Sequence, residues 1–189
     1  MRPLHDAPAM PMPILKTERL LLRPFQLTDA PTVQRLAGDL EVASTTLTIP
    51  HPYEDGMAED WIEPHGAFWA EKKALILAVT TDADGLVGTV GLRLRLEHLR
   101  AELVYWIGVP FWNRGYATES ARAMMDFGFD SLGLNRIEGH YFTRNPASGR
   151  VMEKLGMTLE GVCRQYVLKE DEPEDLAVYA ILLSEHISS

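Results

Sequence analysis

The sequence has a single cysteine, no long hydrophobic run and a shortage of positive charge, and each shortage excludes a class of protein. Cys163 cannot form a disulfide within the chain or build a cysteine-based metal cluster on its own. No segment approaches the roughly 18 uncharged apolar residues of a membrane helix. Lysine and arginine number 18 against 27 aspartate and glutamate, for a net charge of −9. We therefore expect no direct binding of nucleic acid through a basic face and no membrane partner.

The amino-terminal segment also lacks apolar runs. "MRPLHDAPAMPMP" is broken by prolines and has no apolar core, so no secretory signal peptide is predicted. We predict a flexible tail over residues 1–13 and one domain over residues 14–189, because a chain of 189 residues can bury a full core. With 46% hydrophobic and 24% charged residues, the composition is that of a soluble protein, and the cytoplasm is the default location.

Hydrophobic spacing predicts strands and helices after this tail. "ALILAVTT" and "LVGTVGLRLRL", joined by the turn "DADG", predict a hairpin, whereas residues 39–53 are predicted to be a loop. The predicted order is β-α-α-β-β-β-α-β-α-β-β, an α+β fold with a mixed central sheet flanked by helices. Strands are predicted at residues 19–25, 74–81, 86–96, 101–109, 136–143, 157–168 and 175–185, and helices at 27–38, 54–72 (broken near Pro64), 117–133 and 145–156.

The segment "FWNRGYATESARAMMDFGF", residues 111–129, suits an anion at a predicted helix start. A helix amino terminus presents amides that have no intrahelical acceptor and a partial positive charge. Gly115 lets the backbone approach closely and Ala117 is small, while Arg114 adds a cation and Thr118 a hydroxyl. The segment lacks the lysine of a P-loop and the three glycines of a dinucleotide fingerprint. Taken alone, it fits either an anion site or an ordinary helix cap.

Several motifs in order resemble those of the GNAT superfamily of acetyl-CoA-dependent N-acetyltransferases. They are "WNRGYATESA", "TRNPASGRVMEKLGM" and "LEGVCR", preceded by "TERLLLRPFQLTDA" and followed by "LAVYAILLSE". More narrowly, the chain is similar to the branch that acetylates the N-terminal alanine or serine of ribosomal proteins. The resemblance covers about residues 15–185. It implies a GNAT-like, mostly antiparallel sheet, acetyl-CoA as co-substrate and no metal.

The resemblance also implies where coenzyme A binds. The family's phosphate signature is Q/R-x-x-G-x-G/A, which Gly115 and Ala117 match, whereas Trp112 stands where glutamine or arginine is usual. Amides of Arg114, Gly115, Tyr116, Ala117 and Thr118 would wrap the pyrophosphate. The preceding strand, including Ile107 and Val109, would pair with the pantetheine arm as an added strand would.

Acetyl transfer from a thioester requires a neutral amine, a stabilised oxyanion and a proton for the departing thiolate. The thioester supplies the activation, and the sequence shows neither a nucleophile elbow nor a metal-binding pair. Glu102 resembles the glutamate that many members use as a base through water; the alternative is a solvated strand residue. His5, His65, His98, His140 and His186 lack ligand spacing, and none is assigned to a metal.

The "NPAS" segment and two further residues supply the remaining candidates. Asn145 resembles the residue that contacts pantetheine, and Ser148 is a candidate acid for the thiolate; both also fit simple helix capping. Tyr141 is a weaker candidate acid. Glu160 matches the "EG" turn of the branch and either has a structural role or reaches the acceptor amine.

The pKa of the amine bears on the acceptor. At pH 7, deprotonation costs about 1.4 kcal/mol for an α-amine and about 4.6 kcal/mol for lysine. A modest base is sufficient to deprotonate the α-amine, so the N-terminal α-amine of a protein or peptide is the leading prediction for the acceptor. His51 and Tyr53 are weak candidates for the acceptor pocket. The alternatives are acetylation of a small amine (a polyamine or aminoglycoside) and a non-catalytic sensor that binds coenzyme A. A monomer and a homodimer both fit the sequence.

Overall fold

An eight-stranded sheet is the centre of residues 11–186, the part of the chain that the computed structural model describes. Most of the predicted tail lies outside these residues, at 1–10. The strands are β1 (Leu15–Lys16), β2 (Leu21–Arg23), β3 (Ala74–Thr81), β4 (Gly85–Arg95), β5 (Arg100–Ile107), β6 (Arg136–Phe142), β7 (Thr158–Lys169) and β8 (Glu172–Leu182). The helices are α1 (Ala30–Ala37), α2 (Leu40–Ala43), α3 (Met57–Ile62), α4 (His65–Ala70), α5 (Tyr116–Asp130), α6 (Pro146–Lys154) and α7 (Leu183–His186).

The predicted fold class is confirmed, with local differences at its ends and in one loop. The first predicted strand is shorter, since β2 ends just before Pro24, which has no amide to donate. The predicted loop 39–53 contains the short helix α2, which is capped because the Asp39 carboxylate accepts from the Glu41 amide. The predicted helix over 54–72 is broken near Pro64, as expected, into α3 and α4.

The sheet has the order β1-β2-β3-β4-β5-β6-β8-β7, and all its neighbours are antiparallel except β5 and β6. Those two parallel strands are joined through α5, as parallel neighbours need a crossover. Their pairing runs only from Arg100↔Arg136 to Leu103↔Gly139. Beyond this point the two strands no longer pair with each other, although β5 continues to Ile107 and β6 to Phe142, so the sheet opens between them.

Helices pack on the sheet around this opening. The residues from Leu86 to Leu92 on β4 are buried without alternation, so both faces of β4 are covered. Helix α5 buries Ala121, Met124, Met125 and Phe129, at positions i, i+3, i+4 and i+8 of one helix face, in the same hydrophobic core. The core therefore holds the first turn of α5 rigidly beside the end of β5. Among residues 11–186, no helix is long and apolar enough to cross a membrane.

Candidate active site

A cleft of about 910 Å³ lies where β5 and β6 separate. Side chains from both faces of β5 border it, because the cleft passes between strands rather than over one face. Three groups of predicted site residues, far apart in the sequence, therefore share one space. The predicted residues that line the cleft are Tyr53, Glu102, Ile107, Gly115, Tyr116, Ala117, Thr118, Asn145 and Ser148.

The first turn of α5 forms one end of this cleft. Gly115 is its N-cap and has φ 81°, a left-handed conformation that glycine adopts without strain. A β-carbon at Gly115 would lie 3.2 Å from Arg19 Nη2. Within the described chain no side chain caps this end of the helix. The amides of the first turn therefore have neither an intrahelical acceptor nor a side-chain cap, which is the arrangement that an anion needs.

Arg19, between β1 and β2, supports this turn. Its Nε donates to Glu119 Oε2 at 2.7 Å and its Nη1 donates to the Arg114 carbonyl at 2.9 Å. Thr17 Oγ1 also donates to Glu119 Oε1, at 2.6 Å. Burial raises the pKa of Glu119, but hydrogen bonds from Thr17 and Arg19 outweigh it, and the net pKa is lowered. The sequence analysis missed this network, because its partners are about a hundred residues apart.

Trp112, the departure from the phosphate signature, has a structural role here. Its indole Nε1 donates to the carbonyl of Ile107 at 2.6 Å. This bond joins the last residue of β5 to the loop that leads into α5. Trp112 thereby links the end of β5 to the start of α5. In the family signature this position is usually glutamine or arginine.

Glu102 lies on β5 between two basic groups. Its Oε2 is 3.4 Å from Arg93 Nη1, and its Oε1 is 3.6 Å from His140 Nδ1. All three side chains line the cleft. Arg93 is the cross-strand partner of Glu102 on β4, so a correct register between the two strands would have identified it. The carboxylate is 28% exposed, and water can therefore reach it.

Tyr105, on β5, and Ser148, on α6, form a hydroxyl pair that also borders the cleft. Tyr105 Oη is 2.8 Å from Ser148 Oγ, and it also lies 3.2 Å from the Ser148 carbonyl, to which it donates. Burial raises the pKa of Tyr105 to about 12, although the hydrogen bond with Ser148 lowers it. Tyr105 therefore stays protonated at neutral pH. Strand alternation predicts that Tyr105 lies on the face opposite Glu102, and it was not among the predicted site residues.

Asn145 and Tyr141 border the same opening. Asn145 is the N-cap of α6 but makes no side-chain capping bond among the described residues, which leaves its amide group to the cleft. Tyr141, the weaker candidate acid, also lines the cleft. A β-carbon at Gly149 would lie 2.6 Å from Tyr141 Oη, so this glycine makes room for the ring against α6.

Three predicted binding residues in loops lie outside the cleft lining. His51 Nδ1 is 2.9 Å from the Gly38 carbonyl, and Val109 begins a 3-10 turn after β5. The guanidinium of Arg114 is 3.7 Å from Asp84 Oδ2 rather than directed into the cleft. The backbone of Arg114 contributes to the turn through its carbonyl bond with Arg19, and its guanidinium lies 5.4 Å from the centre of the Phe111 ring.

Glu160 also lies outside the cleft lining. Arg136 donates to both of its carboxylate oxygens at 2.6 Å. These hydrogen bonds lower the pKa of Glu160. Of its two predicted roles, the geometry favours the structural one, which ties β6 to β7.

Residues 44–50, which lead to the predicted acceptor residues His51 and Tyr53 and are here called the acceptor wall, also border the cleft. Six of its residues line the cleft, together with Tyr53, Met57 and Trp61 from the segment that follows. Burial is the main cause that raises the pKa of Tyr53. Among the residues that the structure describes, no group of three or more histidine, cysteine, aspartate or glutamate residues is arranged to hold a metal ion.

Comparison with known proteins identifies relatives over nearly the whole chain. The family model described as an acetyltransferase (GNAT) domain matches residues 19–158. The uncharacterized N-acetyltransferase YoaA of Bacillus subtilis is 34% identical, with 90% of this chain and 97% of that protein covered. The putative ribosomal N-acetyltransferase YdaF of the same organism is 31% identical over 70% of each chain.

Solved structures share the fold. A GNAT-family acetyltransferase from Bacillus anthracis superposes with a TM-score of 0.80 at 27% identity, covering 91% of this chain and 99% of that one. Two others are below 25% identity and show the fold alone. They are RimL, a ribosomal L7/L12 α-N-protein acetyltransferase (TM-score 0.81, 16%, covering 90% and 98%), and a spermidine N-acetyltransferase from Vibrio cholerae (0.78, 22%, 90% and 99%).

Proposed function

The chain belongs to the GNAT acetyltransferases and is an acetyl-CoA-dependent N-acetyltransferase, and from that premise we propose that its acceptor is the N-terminal α-amine of a protein or peptide. Relatives of both acceptor kinds share the fold, so the choice depends on the cleft itself. The question is which amine its charges and shape suit.

One observation carries the proposal: among the described residues lining the cleft, Glu102 is the one carboxylate. It faces Arg93 at 3.4 Å, and Arg150 and Lys154 line the same cleft. A polyamine carries several ammonium groups, each of which needs an acidic partner when it leaves water. A peptide terminus brings one amine and neutral amide groups. The charge balance of the cleft therefore favours the peptide terminus.

The acetyl donor is assigned to the end of the cleft at α5. The amides of the first turn of α5 bind the pyrophosphate, and pantetheine lies in the opening between β5 and β6. Asn145, with no capping bond of its own, is placed to hydrogen-bond the amide groups of that arm. This arrangement brings the thioester between Glu102 and Ser148, which come from opposite sides of the opening.

The chemistry then uses Glu102 and the hydroxyl pair. Glu102 takes the proton of the α-ammonium through water, and the neutral nitrogen attacks the thioester carbon and forms the new C–N bond. The attack leaves the negative charge on oxygen and an extra proton on nitrogen. As the C–S bond breaks, the electron pair stays on sulfur, Ser148 Oγ donates the proton that the thiolate needs, and the nitrogen releases its extra proton to water. Tyr105 is protonated at neutral pH, since burial raises its pKa to about 12; it passes a proton to Ser148 along their 2.8 Å contact and regains one from that water. No protein nucleophile takes part.

The intact constellation also bears on the two alternatives. A non-catalytic coenzyme A sensor has no use for a carboxylate and a hydroxyl pair that line the same cleft. A polyamine acetyltransferase needs further acidic groups, which the described lining of the cleft does not supply. Neither alternative has an observation in its favour that the peptide proposal lacks.

An acetyl-CoA consumption assay with a matched acceptor panel tests the proposal. The panel contains peptides beginning with alanine or serine, the same peptides with a blocked N-terminus and an internal lysine, spermidine, and an aminoglycoside. We expect kcat/KM for the free α-amines to exceed every other class by at least about tenfold. Faster turnover of spermidine, or equal turnover of the blocked peptides, would contradict the acceptor assignment.

A further inference from the structure

The acceptor wall, residues 44–50, has little backbone support of its own. At its start, Thr45 and Thr46 are bonded to the last turn of α2 through their amides and hydroxyls. Residues 47–50 belong to no helix or strand, and within the described chain they make no backbone–backbone hydrogen bond. Yet these four residues all line the cleft. Something other than secondary structure must hold them in place.

Lys169, at the end of β7, supplies one anchor. Its Nζ donates to the Ile49 carbonyl at 2.6 Å, across 120 residues of sequence. The side chain is only 9% exposed, which is rare for lysine, and Glu170 is 3.6 Å from the ammonium. A cation this deeply buried needs a strong hydrogen-bond acceptor, and the Ile49 carbonyl serves as that hydrogen-bond acceptor. The far end of the wall is thus tied to the β7–β8 hairpin.

Arg144, directly before Asn145, supplies the second anchor. Its Nη2 donates to the Ser44 carbonyl and its Nε to Glu174 Oε1, both at 2.7 Å. The guanidinium also lies 4.8 Å from the centre of the Phe142 ring. This arginine therefore joins the near end of the wall to β8 and to the start of α6.

We propose that Lys169 and Arg144 are positioning residues that hold the acceptor wall and thereby set the affinity for the amine acceptor. Neither side chain lines the cleft, so each acts from behind the wall, through carbonyls at its two ends. The assignment rests on the proposed function in one respect, that this end of the cleft receives the acceptor. The proposal predicts that loss of either cation makes the acceptor wall more mobile. The first turn of α5 should still bind coenzyme A with unchanged affinity.

The test uses Lys169→Met and Arg144→Met, with Lys169→Arg and Arg144→Lys as conservative variants. Lys73→Met is the matched control, because it removes an exposed lysine that pairs with Glu71 outside the cleft lining. We expect acceptor KM to rise about tenfold in each methionine variant, as loss of a charge-assisted hydrogen bond would produce. The KM for acetyl-CoA stays within twofold of native, and the conservative variants recover part of the loss.

Hydrogen exchange supplies a second readout that does not depend on turnover. The amides of Ser44, Thr45 and Thr46, which donate to carbonyls of α2, are expected to exchange faster in both methionine variants, with or without coenzyme A, while the first turn of α5 does not change. Arg144→Met keeps the proposal testable if Lys169→Met does not fold. If no peptide is acetylated by the native protein, the acceptor assignment fails, while the exchange result still tests the anchors. Unchanged exchange in the wall, equal losses for donor and acceptor, or the same effect from Lys73→Met would overturn the proposal.

Discussion

The two ends of the cleft are built in different ways. The proposed coenzyme end consists of backbone from one short segment, residues 112–118, where Gly115 turns the chain into α5. The proposed acceptor end consists of side chains and a loop, residues 44–61, to which Arg144 and Lys169 donate hydrogen bonds from much later in the sequence. The first end is continuous in sequence, and the second is assembled only when the chain folds.

This difference explains why the donor is common to a family and the acceptor is not. Every residue carries the same amide, so an amide site depends on chain path alone and is specified by a glycine at the turn. A wall of side chains changes with each substitution, and relatives with this fold are named for both a protein terminus and spermidine. Variants at each end should therefore have effects that can be told apart.

The largest effect is expected at the coenzyme end, from Gly115→Val. The residue has φ 81°, which valine does not adopt without strain, and its β-carbon would meet Arg19. Acetyl-CoA binding should become undetectable by calorimetry. Gly133→Val is the matched control, since that glycine also has positive φ but nothing lies within 4 Å of its β-carbon. Native affinity in Gly115→Val, or equal loss in the control, would contradict the phosphate assignment.

The next effect is expected between the two ends, from Glu102→Gln. Removal of the base should lower kcat/KM at pH 7 by about 10²–10⁴, while acetyl-CoA affinity is kept. The deficit should shrink at higher pH, where more of the amine is already neutral. Glu97→Gln changes an exposed glutamate just before β5 and should leave the rate native. A Glu102→Gln rate within a few-fold of native across the pH profile would remove Glu102 from the role.

A smaller effect is expected from the hydroxyl pair. Ser148→Ala should lower kcat by about tenfold or more and change acetyl-CoA affinity less, because the proton is needed only as the thiolate departs. Tyr105→Phe should slow the same step by a smaller factor, since Ser148 keeps its own hydroxyl. Loss of affinity without loss of kcat in Ser148→Ala would instead make this residue a binding or capping residue.

The smallest effect on catalysis, and the clearest on stability, concerns His65 beneath the acceptor end. His65 is buried against Phe25 and Trp61, its Nδ1 has no described partner, and burial lowers its pKa to about 4. Unfolded histidine titrates near pH 6.5. Below that pH the unfolded chain therefore binds a proton at this residue that the folded chain does not bind. Stability should therefore fall as the pH drops from 6.5 toward 4, by about 2 kcal/mol at pH 5.

His65→Leu should remove most of that acid sensitivity, measured as the change in unfolding free energy between pH 7 and pH 5. His98→Leu, at an exposed position in the turn before β5, provides the comparison and should keep the native slope. Activity at pH 7 should be close to native in both variants. An unchanged pH slope in His65→Leu would show that another group carries the acid response.

The fold class and the start of α5 after Gly115 were predicted correctly, because both depend on local patterns. Apolar spacing identified α5, and the glycine before it marked the helix start. The sequence analysis missed Tyr105 because strand alternation separates it from Glu102, whereas the opening between β5 and β6 exposes both faces of the strand. It also missed Arg93 and His140, which reach Glu102 only through strand register.

By itself, then, the sequence determined where the helices and strands form and where a helix start presents its amides, since hydrophobic period and one glycine suffice for that. Tertiary structure decided which side chains and which loop lie around the cleft with those amides. The Tyr105–Ser148 contact spans 43 residues, and the Lys169–Ile49 contact spans 120. Nothing local specifies such contacts, because they depend on where the sheet opens and which strands lie beside the opening. The physical reason is that a backbone site follows from chain path, whereas a side-chain site follows from packing.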